Sequence, residues 1–369
     1  ANLPRRDHAA REYMNEFHPS PGLRGTHVQS VLASFKPRRW LKRGHAMERA
    51  STARIIDCPD NVRLLAREAR QAKHSRGLVA MLHGWEGSHD SVYLQAMACS
   101  LFDAGSDVLR LNLRDHGGTH HLNQGMFHSA LIDEVIAAVG IVAAETPHLP
   151  LFVVGFSLGG NFALRVGLHG PTQGLKPELT IGICPAINPA ATTRCLDTGA
   201  GLYRRYFLKK WRRTLVAKAA AWPDHYEFGD LLTLDNFQHI TRLFAERHTP
   251  FGAVDAYFQA YTVRPEDLID ADGRFAVITA QDDPVVPFQD FQLLERQDSV
   301  QTLPQAVALG KSQNLDMIIW GNIRFKKDSY TDMSPSPYYR GKVSLQVATE
   351  GDLMAAWIPE EKLVLSQPT

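Results

Sequence analysis

A chain of 369 residues, 44% hydrophobic and 21% charged, has the composition of a globular protein and enough apolar material for one large domain with an insertion, or for two. Forty basic against thirty-nine acidic residues leave a formal net charge of +1, which excludes a global field for nucleic acid and points to a small, mostly neutral partner. Cys58, Cys99, Cys184 and Cys195 lack Cys-x-x-Cys spacing, no run reaches eighteen apolar residues, and the opening residues lack the apolar core of a signal peptide; the expectation is a cytoplasmic protein with reduced thiols.

Strands are predicted first at 53–57, 62–67 and 77–82. The third, Leu78-Val-Ala-Met-Leu82, runs into His83-Gly84-Trp85-Glu86-Gly87-Ser88. A parallel sheet can supply one backbone N–H of an oxyanion hole at such a place, the other coming from the residue after a nucleophile; here these would be Trp85 and Leu158. Gly84 would let the backbone approach a substrate oxygen, and a simple turn is the plainer alternative.

A helical pattern at 90–104 and a strand at 107–113 lead into Asp115-His116-Gly-Gly-Thr-His120-His121. Aspartate and histidines this close invite a zinc reading, but adjacent histidines point apart in an extended chain and Gly117-Gly118 breaks any helix that would align His116 with His120. No metal is expected, and the segment reads as a loop beside the active site. A helix follows at 129–146, with His128 as an ordinary loop or helix-start residue.

The next strand, 150–155, ends in Gly155-Phe156-Ser157-Leu158-Gly159 and turns into a helical pattern at 158–168. A strand reversing into a helix forces the central serine into a strained backbone region, and a β-carbon at Gly155 or Gly159 would collide with its neighbours. This is the pattern of a nucleophile elbow, which leaves the Ser157 hydroxyl exposed above the sheet.

After a strand at 178–184 the alternation stops, and residues 185–265 read as an inserted helical cap. In Tyr203-Arg-Arg-Tyr-Phe207-Leu-Lys-Lys-Trp211-Arg-Arg-Thr-Leu215, the residues Tyr203, Phe207, Trp211 and Leu215 share one helical face amid six basic residues. Such a helix could touch an anionic membrane weakly or screen a lipid-like substrate; the plainer alternative is a solvated cap helix packed over a pocket. Strand 275–280 then runs into Gln281-Asp282-Asp283-Pro284, placing a carboxylate at the end of a buried strand. Asp283 is the chosen triad acid, with Asp282 or a plain Asp-Pro turn as alternatives.

Together these elements predict a mostly parallel, doubly wound α/β sheet with a helical cap. The expected organisation is an arm at 1–50, a core at 51–184 and 266–310, the cap at 185–265, and a segment of unassigned role at 311–369, with strand candidates at 316–320 and 342–347.

Gly22-Leu-Arg-Gly-Thr-His-Val-Gln-Ser-Val31, His83-Gly-Trp-Glu-Gly-Ser88, Asn112-Leu-Arg-Asp-His-Gly-Gly118, Gly155-Phe-Ser-Leu-Gly-Gly-Asn161 and Asp282-Asp-Pro-Val-Val-Pro287 together resemble the YheT-type α/β-hydrolases, prokaryotic relatives of the ABHD hydrolases. The resemblance runs from about residue 15 to 292. It implies the α/β-hydrolase fold and a serine hydrolase, a carboxylesterase for short or medium acyl esters, with Ser157 as nucleophile, Asp283 as acid and no cofactor. In that family the catalytic histidine follows the acid within a His-Gly-Gly-His segment, yet the sixteen histidines here end at His248. Counting forward from Asp283 through a helix at 287–297 and a short strand at 306–309 reaches Lys311 in its place.

Without a base a serine hydroxyl is a poor nucleophile, because its proton must leave as the bond to carbon forms. Lys311, if desolvated, or one of His83, His116, His120, His121 and His128 could take that proton. Failing both, the chain would be a catalytically silent binder of a small apolar ligand. The expected partner is thus a small ester or lipid-like molecule.

Overall fold

The computed structural model describes residues 27–28, 45–269, 271–280 and 283–291, and three strands between 317 and 368. One compact unit spans 33–291. Its strands are β1 (Ser51–Asp57), β2 (Arg63–Ala69), β3 (Leu78–Leu82), β4 (Asp107–Leu111), β5 (Leu151–Phe156), β6 (Leu179–Ile183) and β7 (Phe275–Ile278). They form one sheet in the order β1-β2-β4-β3-β5-β6-β7. The five strands from β4 to β7 in this order are mutually parallel, and the β1–β2 hairpin adds antiparallel to β4. All seven strands read from the sequence are present; β3 and β5, in the interior of the sheet, are apolar runs that stand out between turns, whereas β1 and β2 carry charged residues and β1 is largely exposed.

Strand pleat divides the core into two layers. Leu78, Ala80 and Leu82 of β3 join Val153 of β5 in a buried cluster with Val135, Ala138 and Val142 of α3 (Ile132–Ala144) and Phe162 and Val166 of α4 (Leu158–His169). The intervening Val79 and Met81 face the other way, against Leu94, Ala98 and Cys99 of α2 (Val92–Asp103) and Met47 of α1 (Ala46–Ala50). Met47 has no solvent exposure, so packing against this face begins ahead of residue 51. Helix α3 starts at Ile132, three residues later than its apolar pattern, since Leu131 takes a non-helical backbone (φ −73°, ψ 64°).

Between β6 and β7 lie α5 (Pro189–Thr198), α6 (Gly201–Ala221), α7 (Phe237–His248), α8 (Val254–Gln259) and α9 (Pro265–Ile269). Leu208, Trp211 and Leu215 of α6 and Ile240 and Phe244 of α7 form a separate apolar cluster that takes in Met126 and Trp85 from the loops after β4 and β3. This inserted layer covers the carboxyl ends of the parallel strands, where open α/β sheets bind ligands.

The second unit contains a three-stranded antiparallel sheet of β8 (Met317–Asp328), β9 (Tyr338–Thr349) and β10 (Leu363–Pro368), with β9 central. Both strand candidates of this segment fall within β8 and β9, apart from residue 316, which lies outside the described residues. Asp282, Lys311 and the 22–31 motif other than His27 and Val28 also lie outside them, as do the 292–297 part of the expected helix and the 306–309 strand. Phe288–Phe291 is a 3-10 turn.

Candidate active site

Ser157 sits between β5 and α4 with φ 53° and ψ −118°, a conformation that costs an ordinary residue on the order of 1–3 kcal/mol. The flanking glycines follow from sterics: a β-carbon on Gly155 would lie 1.9 Å from the Gly159 carbonyl oxygen, and one on Gly159 would lie 2.4 Å from that of His83. Three backbone bonds hold the serine. Its amide donates to the Ile183 carbonyl at 2.8 Å, and its own carbonyl accepts from Asn161 (3.0 Å) and Ala186 (3.2 Å). The Asn161 side chain, wholly buried, donates in turn to the carbonyls of Ala186 and Tyr261.

The turn after β3 lies directly against the serine. A β-carbon on Gly84 would stand 3.3 Å from the Ser157 Cβ, so glycine is what allows this approach. His83 fixes the turn from behind: its Nε2 accepts from the Leu113 amide (3.1 Å), which assigns the proton to Nδ1, and Nδ1 donates to the Gly84 carbonyl (2.8 Å). Burial holds the His83 pKa well below the usual imidazole range. Both of its nitrogens are occupied, so it is a structural histidine. Among the described residues neither the Trp85 nor the Leu158 amide, the two expected oxyanion donors, has an acceptor. The Trp85 ring stacks on Phe207 of α6 (centroids 5.5 Å apart) and meets Phe237 edge-on (5.6 Å).

Asp283 follows β7, and its Oδ1 accepts the amides of Val285 and Val286, each at 2.9 Å. That pair of bonds orients the carboxylate. Val285 lines the same cleft as Ser157.

The remaining histidines have different fates. His116 Nδ1 faces the Arg114 carbonyl (2.7 Å), its ring lies 4.9 Å from that of His83 and 4.7 Å from that of Phe127, and burial pushes its pKa down to about 4. The carbonyl of His120 accepts from the Trp222 indole (2.9 Å), and His121 is exposed. His128 lies in a loop, as its sequence reading has it, and of the five histidines weighed as bases it is the one that lines the cleft beside Ser157. Burial, with Arg114 and Arg165 nearby, pushes its pKa down to about 4, so it is neutral at pH 7. Among the described residues no histidine nitrogen hydrogen-bonds to Ser157 or Asp283.

Two buried polar groups that the sequence did not single out shape this wall. Arg165 of α4 donates to the carbonyls of Ser129 (2.7 Å) and Ala130 (3.2 Å), fixing the loop that carries His128. Lys218 of α6 donates to Asp115 Oδ1 (2.8 Å) and to the carbonyls of Asn123 and Gly125, while Asp115 Oδ2 accepts from the Phe127 amide. Burial pushes the Asp115 carboxyl up and the Lys218 ammonium down, and each partner opposes the other's shift. A signal existed for both: Lys218 continues the apolar stripe Trp211, Leu215, and Arg165 interrupts an otherwise apolar or small helix after the elbow.

The cleft measures about 880 Å³, part of it open to solvent. Its walls are mainly apolar, with Phe127, Leu158, Phe207, Trp211 and Phe244 among them, and Thr192, Thr193 and Thr241 add hydroxyls. Such a shape suits an apolar group held over the serine.

A family model described as serine aminopeptidase, S33, matches residues 73–239. The YheT protein of Escherichia coli, which carries an esterase designation, is 25% identical over 292 residues, covering 77% of this chain and 82% of its own. Among solved structures, an esterase from Pyrococcus furiosus aligns with 18% identity over 66% of this chain and 76% of its own, with a TM-score of 0.40. A serine hydrolase from the polyaromatic-hydrocarbon-degrading bacterium Cycloclasticus zankles aligns with 15% identity over 67% and 86%, with a TM-score of 0.44.

Proposed function

We propose that this chain, an α/β-hydrolase of the YheT type, is a serine carboxylesterase acting on short- or medium-chain acyl esters. The observation that carries the reading is the strained Ser157, held at φ 53° under a turn whose Gly84 lies against it. In this reading Ser157 Oγ attacks the ester carbonyl, and the amides of Trp85 and Leu158 receive the oxyanion. Collapse expels the alcohol and leaves an acyl-serine, which water then hydrolyses to the acid and free Ser157. The apolar cleft takes the acyl chain. Asp283 serves as the acid of the relay, already oriented by two amides.

The proton leaving Ser157 is assigned to Lys311, on the strength of its place in the chain after Asp283. A lysine base requires desolvation to lower its pKa. A second reading, a silent binder of a small apolar ligand, is favoured by one observation: no described histidine nitrogen bonds to Ser157 or Asp283.

A fluorophosphonate probe separates the two. Labelling of Ser157, with hydrolysis of p-nitrophenyl esters, is the expected result; an unlabelled serine beside a labelled control hydrolase would leave the binder. Lys311→Met should then lower kcat without changing the acyl preference. Retained turnover in Lys311→Met together with its loss in His128→Gln would move the base to His128.

A further inference from the structure

Helix α6 is 21 residues long and contains seven lysines and arginines and no acid. The structure sorts these cations into two sets. Arg204 donates to the Asp197 carbonyl, Lys210 to that of Glu86, Arg212 to that of Leu234, and Lys218 to Asp115. The other three, Arg205, Lys209 and Arg213, are exposed and have no partner among the described residues. At 3.6 residues per turn they fall on one stripe with Leu202, Tyr206 and Val216. Those apolar residues are 49%, 44% and 56% exposed. Trp211 is on the opposite side of the helix, buried and lining the cleft of Ser157.

We infer that the outward face of α6 docks on an anionic lipid bilayer. The chain's formal net charge of +1 supplies no general attraction to polyanions, so the stripe acts as a local positive field. Lysine and arginine can reach headgroup phosphates on long stems while aliphatic and tyrosine side chains enter the headgroup–acyl boundary, and the stripe carries three residues of each kind. A nucleic acid would engage the cations but leave Leu202 and Val216 without an apolar partner. Docked this way, the helix holds its inner face, with Phe207 and Trp211, over the cleft, so that the cap stands between bilayer and serine. The docking does not depend on the esterase reading.

The experiment is co-sedimentation of the full chain with phosphatidylcholine vesicles with and without a third of phosphatidylserine. Binding is expected to the anionic vesicles alone and to weaken as salt rises. Arg205→Gln/Lys209→Gln/Arg213→Gln should weaken it on the order of 100-fold, the loss of three cations at a charged surface. Leu202→Ser/Tyr206→Ser/Val216→Ser should weaken it as well, at unchanged charge. The melting temperature should stay unchanged in the charge variant, whose replaced side chains are exposed and unpartnered among the described residues; the serine variant also loses the Tyr206 contact with Phe207 (5.2 Å), so its binding is read at a temperature where circular dichroism shows it folded. Failure to sediment with anionic vesicles, equal binding to neutral ones, or full binding by the charge variant would overturn the inference. So would a serine variant that binds normally, with a DNA duplex displacing the vesicles, which would reassign the stripe to a polyanion. None of these readouts uses turnover, so loss of ester hydrolysis would leave the docking standing.

Discussion

The Lys218 ammonium of the cap lies 2.8 Å from the Asp115 carboxylate of the core, and neither side chain is exposed. The bond joins residues 103 positions apart and ties α6 to the loop that leads to Phe127 and His128. Removing one partner leaves the other charge buried without compensation. Lys218→Met should therefore cost about 3–5 kcal/mol in urea denaturation, whereas Lys218→Met combined with Asp115→Asn should cost less than the two single changes added together. Additive losses would show that the two groups do not act as a pair.

Ser157 separates function from stability. Ser157→Ala should reduce ester hydrolysis by about 10³-fold or more while leaving the unfolding free energy within about 0.5 kcal/mol, because alanine inherits the same backbone conformation. Ser157→Gly should be equally inactive yet more stable, by about 1 kcal/mol, since φ 53° with ψ −118° suits only glycine. A glycine variant that melts below the alanine variant would show that the elbow stores no strain.

The pH dependence of stability turns on Glu86, next to the expected oxyanion donor. Burial pushes its pKa up to about 7, against the Thr214 hydroxyl bond and the Lys210 charge, and burial also pushes Glu134 up to about 7 despite Arg114. A carboxyl raised in the folded state binds more protons there than in the unfolded chain. Its favourable contribution is therefore full below about pH 4.5 and is lost as pH rises through about 7. Stability should fall between pH 5 and 8, by at most on the order of 3 kcal/mol from Glu86. Glu86→Gln should flatten that slope, read as urea midpoints across the range; an unchanged slope would assign it to Glu134.

Sequence reading reached the parts of this molecule that are encoded locally. The central strands β3 and β5 are apolar runs between turns, and the elbow is five consecutive residues whose glycines are fixed by contacts within the pentapeptide or with the adjoining strand, such as Gly155 against Gly159. The position of His128 was not legible in the same way. It depends on Arg165, 36 positions on from Ser129, holding the loop by its carbonyls, and on Asp115 bonding the Phe127 amide. These are bonds between elements, which periodicity does not register. Lys218 lies beyond the basic segment 203–215 that the sequence analysis singled out, although its place continuing the Trp211–Leu215 stripe was the clue that it points inward.

The cleft makes the last prediction. Phe207 projects from α6 into the cleft and stacks on Trp85, with ring centroids 5.5 Å apart, so it has two separable roles. As part of the acyl wall it contributes dispersion and apolar burial that grow with chain length, each contacting methylene being worth roughly 1 kcal/mol. As a support for Trp85 it would hold an oxyanion donor in place, which affects every ester alike. Phe207→Ala should lower kcat/KM for p-nitrophenyl hexanoate about tenfold more than for the acetate, because only the longer chain reaches the removed ring. Phe207→Leu, which keeps an apolar wall, should recover most of the hexanoate rate. An equal loss for acetate and hexanoate would place Phe207 behind Trp85 rather than against the acyl chain, and the shape of the cleft would then not set the substrate length.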